Sequence, residues 1–225
     1  MRQHAYIASF LTLLATVFCL TSCKETDDTV EEYPDWQQKN EAFFSAKYNA
    51  AKQAIASGDT SWKIFKSYAR DSSTPGSATD YIVVKVLREG TGSGAPLFTD
   101  TVRTHYRGQL LASATHVDSS DRELGYVFDQ SWSTNSFDER IFVPAKFAVA
   151  DADVVDGFST ALQHMRIGDR WKVYIPYQLG YGTNVNGSIP AYSTLIFDMA
   201  LAAYYHPGKK VPDWSANEMQ IWEEP

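Results

Sequence analysis

Between Asp80 and Tyr204 the apolar residues of this chain recur with a period of two, and a single stretch among them recurs with the period of a helix. "YIVVKVL" at 81–87 is a compact β-branched run. "DTVRTHYRGQLL" at 100–111 sets Val102, Thr104 and Tyr106 on one face, "RWKVYIP" at 170–176 does the same with Trp171, Val173 and Ile175, and "STLIFDMALAAYY" at 193–205 is a further strand. The interruption is "DADVVDGFSTALQHM" at 151–165, where Phe158, Leu162 and Met165 fall at i, i+4 and i+7 before Gly168 closes the helix. A lone amphipathic helix and a one-faced sheet each need the other to bury their apolar surface. The pattern therefore predicts an α+β domain in which a curved antiparallel sheet wraps one helix.

Upstream the period is helical. Pro34-Asp35 opens a segment in which Asp35 can cap, Gln38 stands at the reciprocal position three residues on, and Gly58 follows the last apolar residue. Phe44, Tyr48, Ala51 and Ile55 form its apolar stripe. One helix cannot bury that stripe, so it packs on the following domain or on a second copy of itself. "SWKIFKSYA" at 61–69 is a short apolar segment, and "RDSSTPGSAT" at 70–79 reads as a linker. The expected organisation is an N-terminal helical extension and linker over 35–79, the domain over 80–204 and a tail over 205–225. That tail, with two tryptophans, folds over the domain or forms a flexible end.

The first 22 residues carry Arg2 and His4 ahead of an apolar run from Ile7 to Leu20. The run is shorter than the roughly 20 residues of a membrane-spanning helix and has the profile of a signal peptide. Leu20-Thr21-Ser22-Cys23 resembles the lipobox of bacterial lipoproteins, which implies an acylated Cys23 as first residue and a membrane anchor; an ordinary secretory signal is the other reading. Cys19 lies inside the removed run, so Cys23 has no disulfide partner. Residues 23–34 form an acidic tether, with five carboxylates between Lys24 and Glu32. It is a solvated spacer, or it is the acidic export signal that it resembles in some Gram-negative surface lipoproteins. Losing Arg2 takes the formal charge from −7 to −8. So acidic a body excludes nucleic acid as a partner, because phosphate contacts need a basic footprint.

Six short motifs then occur in a fixed order: Val102 to Gly108, Phe128-Asp129-Gln130-Ser131, Val154-Val155-Asp156-Gly157-Phe158, Leu179-Gly180-Tyr181-Gly182, Gly187-Ser188-Ile189-Pro190 and Thr194-Leu195-Ile196-Phe197. Together they resemble the FKBP-type peptidyl-prolyl isomerases, the macrolide-binding immunophilins, over about residues 80 to 204. "PAKFAVADADVVDGFSTALQHMRIGDRWKVYIPYQLGYG" is similar to the bacterial macrophage infectivity potentiator branch. The resemblance implies a proline pocket in which Phe128, Val154, Val155, Phe158, Ile189 and Phe197 bind substrate and Tyr106, Asp129 and Tyr181 act as the catalytic set.

The chemistry such a pocket performs needs neither metal, cofactor nor nucleophile. Rotation about a peptide bond meets a barrier of roughly 18–20 kcal/mol, and Xaa-Pro isomers exchange over tens to hundreds of seconds. In the twisted transition state amide resonance is lost and the carbonyl is less polar, so a dry pocket favours it. Catalysis is then differential binding of the twisted amide. The apolar residues hold the proline ring, the Tyr181 hydroxyl donates to a substrate carbonyl, the backbone N–H of Ile189 holds the next one, and Asp129 either orients Tyr106 or polarises the rotating carbonyl indirectly. His105, His116, His164 and His206 lack companions at metal-ligand spacing.

The chain departs from the family pattern in four places. Phe158 stands where most members have a tryptophan, which implies a broader pocket, and Ala145 where many have a phenylalanine. Insertions within 111–127 and 132–143 flank Phe128-Asp129, positioned to gate the pocket or to present a substrate surface. The sequence reads as an exported, lipid-anchored isomerase of proline-containing polypeptides at the envelope of a Gram-negative bacterium, on the periplasmic or surface face of the outer membrane, with macrolides as possible occupants. Two alternatives stand beside it: a chaperone or receptor module that binds peptides without turnover, and a structural subunit that assembles through the helix at 35–57.

Overall fold

The computed structural model of the chain describes residues 30–134 and 136–214. The chain divides into two units, Met1–Glu31 and Glu32–Pro225, and the fold and the site lie within the second. The signal segment, Cys23, most of the acidic tether and the tail past Trp214 fall outside the described residues. The helices and strands are α1 (Trp36–Ala56), β1 (Trp62–Lys66), β2 (Tyr81–Arg88), β3 (Thr101–Leu111), β4 (Leu124–Gln130), β5 (Ala145–Ala148), α2 (Asp156–Leu162), β6 (Arg170–Ile175) and β7 (Leu195–Tyr205).

Among the described residues the strands form one open antiparallel sheet in the order β1-β2-β6-β7-β3-β4, with β5 also paired to β3. The expected α+β architecture is the observed one. The long strands β3 and β7 form its spine, paired from Thr101 opposite Tyr205 to Gln109 opposite Ile196 with one register shift between Arg103 and Thr104. The other edge of β3 is shared: β5 pairs with Thr101 to Thr104, and β4 pairs from Arg107 onward. Between them the Tyr106 amide donates to Ser131 Oγ at 2.9 Å and its carbonyl accepts from the Ser131 amide at 2.8 Å, so no backbone group is orphaned at the changeover.

Helix α2 lies on this sheet because Gly157 brings it close: a Cβ there would stand 2.3 Å from Ile175 Cγ2. Phe158, Ala161 and Leu162 are buried with it. The helix stops at Leu162, short of the expected Met165, which is buried in the following turn with its amide bonded to the Ala161 and Leu162 carbonyls.

Helix α1 packs on β1, β2 and β6, which settles its stripe on the domain rather than on a second copy. Its buried residues are Trp36, Asn40, Phe44 and Ala51. Tyr48 is half-buried, and Ile55 is 42% exposed. The expected cap is absent: Asp35 sits at φ 50, and its side chain makes no capping bond. The start of the helix is held by tertiary bonds instead. Trp36 Nε1 donates to Ser193 Oγ at 2.9 Å, Asn40 Nδ2 to the Trp36 carbonyl at 2.7 Å, and the Thr194 amide to Asn40 Oδ1 at 2.7 Å. The folded unit also begins before residue 35, since Glu32 accepts from Ser113 and from Thr115 Oγ1. Within the stretch expected to link helix and domain, β1 pairs with β2 from Trp62 opposite Lys85 to Lys66 opposite Tyr81 and extends the sheet.

The insertion at 111–127 supplies the start of β4, and side chains from it and from the insertion at 132–143 meet the face of the sheet that carries His105, Gln109, Arg170 and Lys172. Trp132 is buried against Phe137, with ring centroids 4.7 Å apart, and Phe137 covers His105 at 5.1 Å and the Arg170 guanidinium at 4.7 Å. From the other insertion, Asp121 accepts from Lys172 Nζ and Asp118 from Gln109 Nε2. The described part of the tail also folds back: Arg103 Nη2 donates to the Pro212 carbonyl at 2.6 Å, and Trp214 stands 6.3 Å from His105. His105 is 1% exposed, with no hydrogen-bond partner on either ring nitrogen among the described residues. Burial pushes its pKa down to about 4, against a smaller opposing pull from Glu139.

Two outcomes follow from these contacts. Asn40→Leu strips the buried Thr194 amide of its acceptor and is expected to destabilise the fold by roughly 1–3 kcal/mol, read as a lower urea midpoint at unchanged slope. Between about pH 6.5 and about 4 the unfolded chain binds a proton at His105 that the folded chain refuses, so stability falls as pH drops through that window. His105→Leu is expected to flatten the acid limb of a pH–stability curve by roughly 1–3 kcal/mol relative to the parent.

Candidate active site

The concave side of the sheet holds a cavity of about 430 Å³. All nine residues singled out in the sequence line it: Tyr106, Phe128, Asp129, Val154, Val155, Phe158, Tyr181, Ile189 and Phe197. Three strands, the start of α2 and one loop bring them together, each for a local reason. Tyr106 points inward because it alternates with His105 on β3; Phe128 and Asp129 end β4; Val154 and Val155 lead into α2, whose third residue is Phe158; Phe197 faces inward from β7. Tyr181 and Ile189 lie in the Gly- and Asn-rich loop between β6 and β7.

The floor is a set of edge-to-face rings. Phe158 lies 4.9 Å from Phe197 at 78°, Tyr106 lies 5.7 Å from Phe158 at 87°, and Phe128 lies 5.4 Å from Phe197 at 90°. This is the arrangement that aromatic quadrupoles favour, and it holds each ring at a fixed tilt. Gly108 makes it possible. A Cβ at that position would stand 2.5 Å from Phe128 Cζ and 2.6 Å from Phe197 Cε1.

Two phenols face the cavity with different tasks. Tyr106 Oη donates to Asp129 Oδ2 at 2.8 Å. Burial first, and then that bond, raise its pKa above the ordinary tyrosine range. The Tyr181 hydroxyl makes no hydrogen bond among the described residues, and burial with the charges of Asp129 and Asp153 raises its pKa as well. Both rings are therefore protonated at neutral pH. Tyr106 has spent its donor on Asp129, whereas Tyr181 has one to offer a ligand.

The structure corrects two details of the expected site. The Ile189 amide donates to the Asn186 carbonyl at 2.9 Å, and the Asn186 amide returns the bond at 3.0 Å, so this N–H is closed within its own loop and only the Ile189 side chain serves the cavity. The described residues of the insertions line no part of the cavity, and their side chains that reach the sheet meet its opposite face.

Sequence reasoning missed Phe147, Asp151, Asp153 and Asn186, which also line the cavity. Phe147 shares a face of β5 with Ala145, two residues on, and supplies an aromatic ring 5.9 Å from Phe158. The alternation of "AKFA" carried that signal. Among the described residues no group of three or more His, Cys, Asp or Glu side chains is placed to hold a metal ion.

The cavity thus brings residues of the six ordered motifs onto a floor of crossed aromatic rings, with one phenol committed to Asp129 and one free. Residues 93–202 match the family model for FKBP-type peptidyl-prolyl cis-trans isomerases, and the chain belongs to that family. It is 32% identical over 123 residues to FK506-binding protein 1A of Neurospora crassa, covering 54% of this chain and 87% of that protein. It is 36% identical over 129 residues to the macrophage infectivity potentiator of Trypanosoma cruzi, covering 57% of this chain and 55% of that one. The crystal structure of FkpA from Escherichia coli aligns with 75% of this chain and 64% of its own, at 26% identity and a TM-score of 0.42. The chain spans about half the length of several relatives that it matches.

Gly108→Ala is expected to force Phe128 and Phe197 apart and to weaken ligand binding in the cavity by at least tenfold, at a cost of roughly 1–3 kcal/mol in stability. Titration calorimetry with an Xaa-Pro peptide, beside a urea melt, checks both.

Proposed function

We propose that this protein catalyses cis-trans isomerisation of Xaa-Pro bonds in unfolded and folding polypeptides, with Phe128, Val154, Val155, Phe158, Ile189 and Phe197 enclosing the proline ring. The observation that carries this reading is the free Tyr181 hydroxyl over a cavity lined mostly by aromatic and aliphatic side chains, with Asp129, Asp151 and Asp153 also in its wall. In the planar amide the carbonyl is polar and prefers water. In the twisted amide it is less so, and a water-poor pocket lowers the barrier by the difference. Tyr181 holds a substrate carbonyl as the bond turns. Asp129 acts through Tyr106 as a positioning residue, fixing the ring that leans on Phe158. The FK506-binding name of the Neurospora relative supports macrolides as competing occupants.

We further propose that the protein is exported and lipid-anchored through Cys23, as an outer-membrane lipoprotein of a Gram-negative envelope facing the periplasm or the surface, where newly exported chains need such a catalyst. The Leu20-Thr21-Ser22-Cys23 motif supports this, and the similarity to macrophage infectivity potentiator and FkpA relatives supports the branch. Phe158 in place of tryptophan is the one observation that favours a binding module without turnover. The structural-subunit reading has lost its support, since Phe44 is buried within the chain.

In a cis-to-trans assay on a Leu-Pro tetrapeptide, the chain from Lys24 onward is expected to accelerate exchange. Tyr181→Phe should lower kcat/KM about 2- to 10-fold, the worth of one neutral hydrogen bond. Phe158→Ala should lower it further. A wild type no faster than buffer, yet still binding unfolded protein, would establish the binding module in its place. For the anchor, Cys23→Ser is expected to abolish incorporation of labelled palmitate and to release the protein from the membrane fraction; palmitate retained in the variant refutes it.

A further inference from the structure

The loop between β6 and β7 carries Tyr181 and Ile189 into the cavity, yet it is held by a helix that precedes the family match at 93–202. Its tip closes on itself through the bridge between Asn186 and Ile189, and among the described residues no hydrogen bond joins 183–191 directly to a helix or strand. The anchorage runs through Ser193 instead. The Pro190 carbonyl accepts from Ser193 Oγ at 2.7 Å, and Ser193 Oγ accepts from Trp36 Nε1 at 2.9 Å. An indole N–H can only donate, whereas a hydroxyl does both, so the chain of bonds runs one way, from α1 to the residue that follows Ile189. Trp36 and Ser193 are 7% and 3% exposed, which leaves water little access to replace either bond.

The same helix grips the other end of the loop. The Tyr177 carbonyl accepts from the Gly180 and Gly182 amides and so builds the turn that presents Tyr181, while the Tyr177 hydroxyl donates to Glu41 Oε1 at 3.2 Å. The two ends meet at Tyr192. Its amide donates to the Gly182 carbonyl at 2.9 Å, and its ring lies 5.3 Å from that of Tyr177. Tyr192 sits at φ 63, a left-handed conformation that a tyrosine keeps only where its surroundings hold it there.

We infer that Trp36 is a positioning residue of this site: through Ser193 it holds the loop in the shape that Tyr181 and Ile189 need to grip a substrate. The inference rests on the isomerase reading above and adds to it a control exerted from outside the catalytic domain. A loop already in its bound shape spends no affinity on ordering. With the tie cut, a fraction of molecules holds the loop elsewhere, and the apparent dissociation constant rises by the inverse of the competent fraction. Bound substrate keeps the loop in place, so KM rises while kcat stays.

The test compares the full chain with Trp36→Phe, Ser193→Ala and the double variant. The readings are calorimetric affinity for a Leu-Pro tetrapeptide, kcat and KM separately, and hydrogen exchange at the Tyr192 and Ile189 amides of the free protein. Each single variant is expected to weaken affinity and raise KM roughly 2- to 10-fold, the worth of one neutral hydrogen bond, with kcat unchanged and both amides exchanging faster. The double variant should lose no more than the stronger single one, since both cut the same link. Lys39→Met is the control. Lys39 Nζ ties α1 to the Ala112 carbonyl, away from the loop, so affinity and exchange should stay as they were. Folded single variants that bind and exchange like the parent overturn the inference, as do losses that multiply in the double variant or that appear equally in Lys39→Met. If Trp36→Phe does not fold, Ser193→Ala decides by the same readings. If the parent accelerates no peptide, the isomerase reading fails separately; affinity then decides the positioning role, or exchange where no peptide binds.

Discussion

The concave half of the molecule depends on a missing side chain. Gly108 sits near the end of the longest strand pair, where Phe128 from β4 and Phe197 from β7 meet above it. Phe197 orients Phe158, and Phe158 is the ring against which Tyr106 stands edge-on. Once Tyr106 is upright its hydroxyl reaches Asp129, and the wall of the cavity is set. A close approach of three strands is thus converted into a fixed orientation of four rings, with dispersion contacts that are individually small and collectively large.

The second support is polar. Asn40 is fully buried, yet both ends of its amide are satisfied, one by the helix that carries it and one by Thr194, just before β7. That pairing ties α1 to the strand whose next residues enter the cavity, so the N-terminal helix braces the site without touching a ligand. Burying an amide is costly unless its bonds are made, and here each bond also fixes a register.

What the sequence disclosed tracks what is local. Alternation along β2, β3, β6 and β7 needs only neighbouring residues, and the nine cavity residues lay in motifs whose order is read along the chain. Strand β1 escaped because all five of its residues are half-buried, which leaves no apolar and polar face to alternate. The capping role of Asp35 failed because tertiary bonds from Trp36 and Asn40 decide where α1 begins. The Ile189 amide was misjudged because its partner, Asn186, comes from a loop-internal bridge with no signature in composition. The side of the sheet taken by the insertions rests on contacts such as Phe137 with Arg170 and Asp121 with Lys172, which join residues far apart in the chain.

Strand β3 gives Tyr106 to the cavity and His105, Arg107 and Gln109 to the inserted loops on the other side. One backbone thereby separates two histories. The inner surface is constrained by four rings that fix one another, whereas the outer covering is joined to the sheet by separate side-chain contacts. That outer covering can be lengthened, recharged or re-addressed while the cavity beneath it keeps its shape.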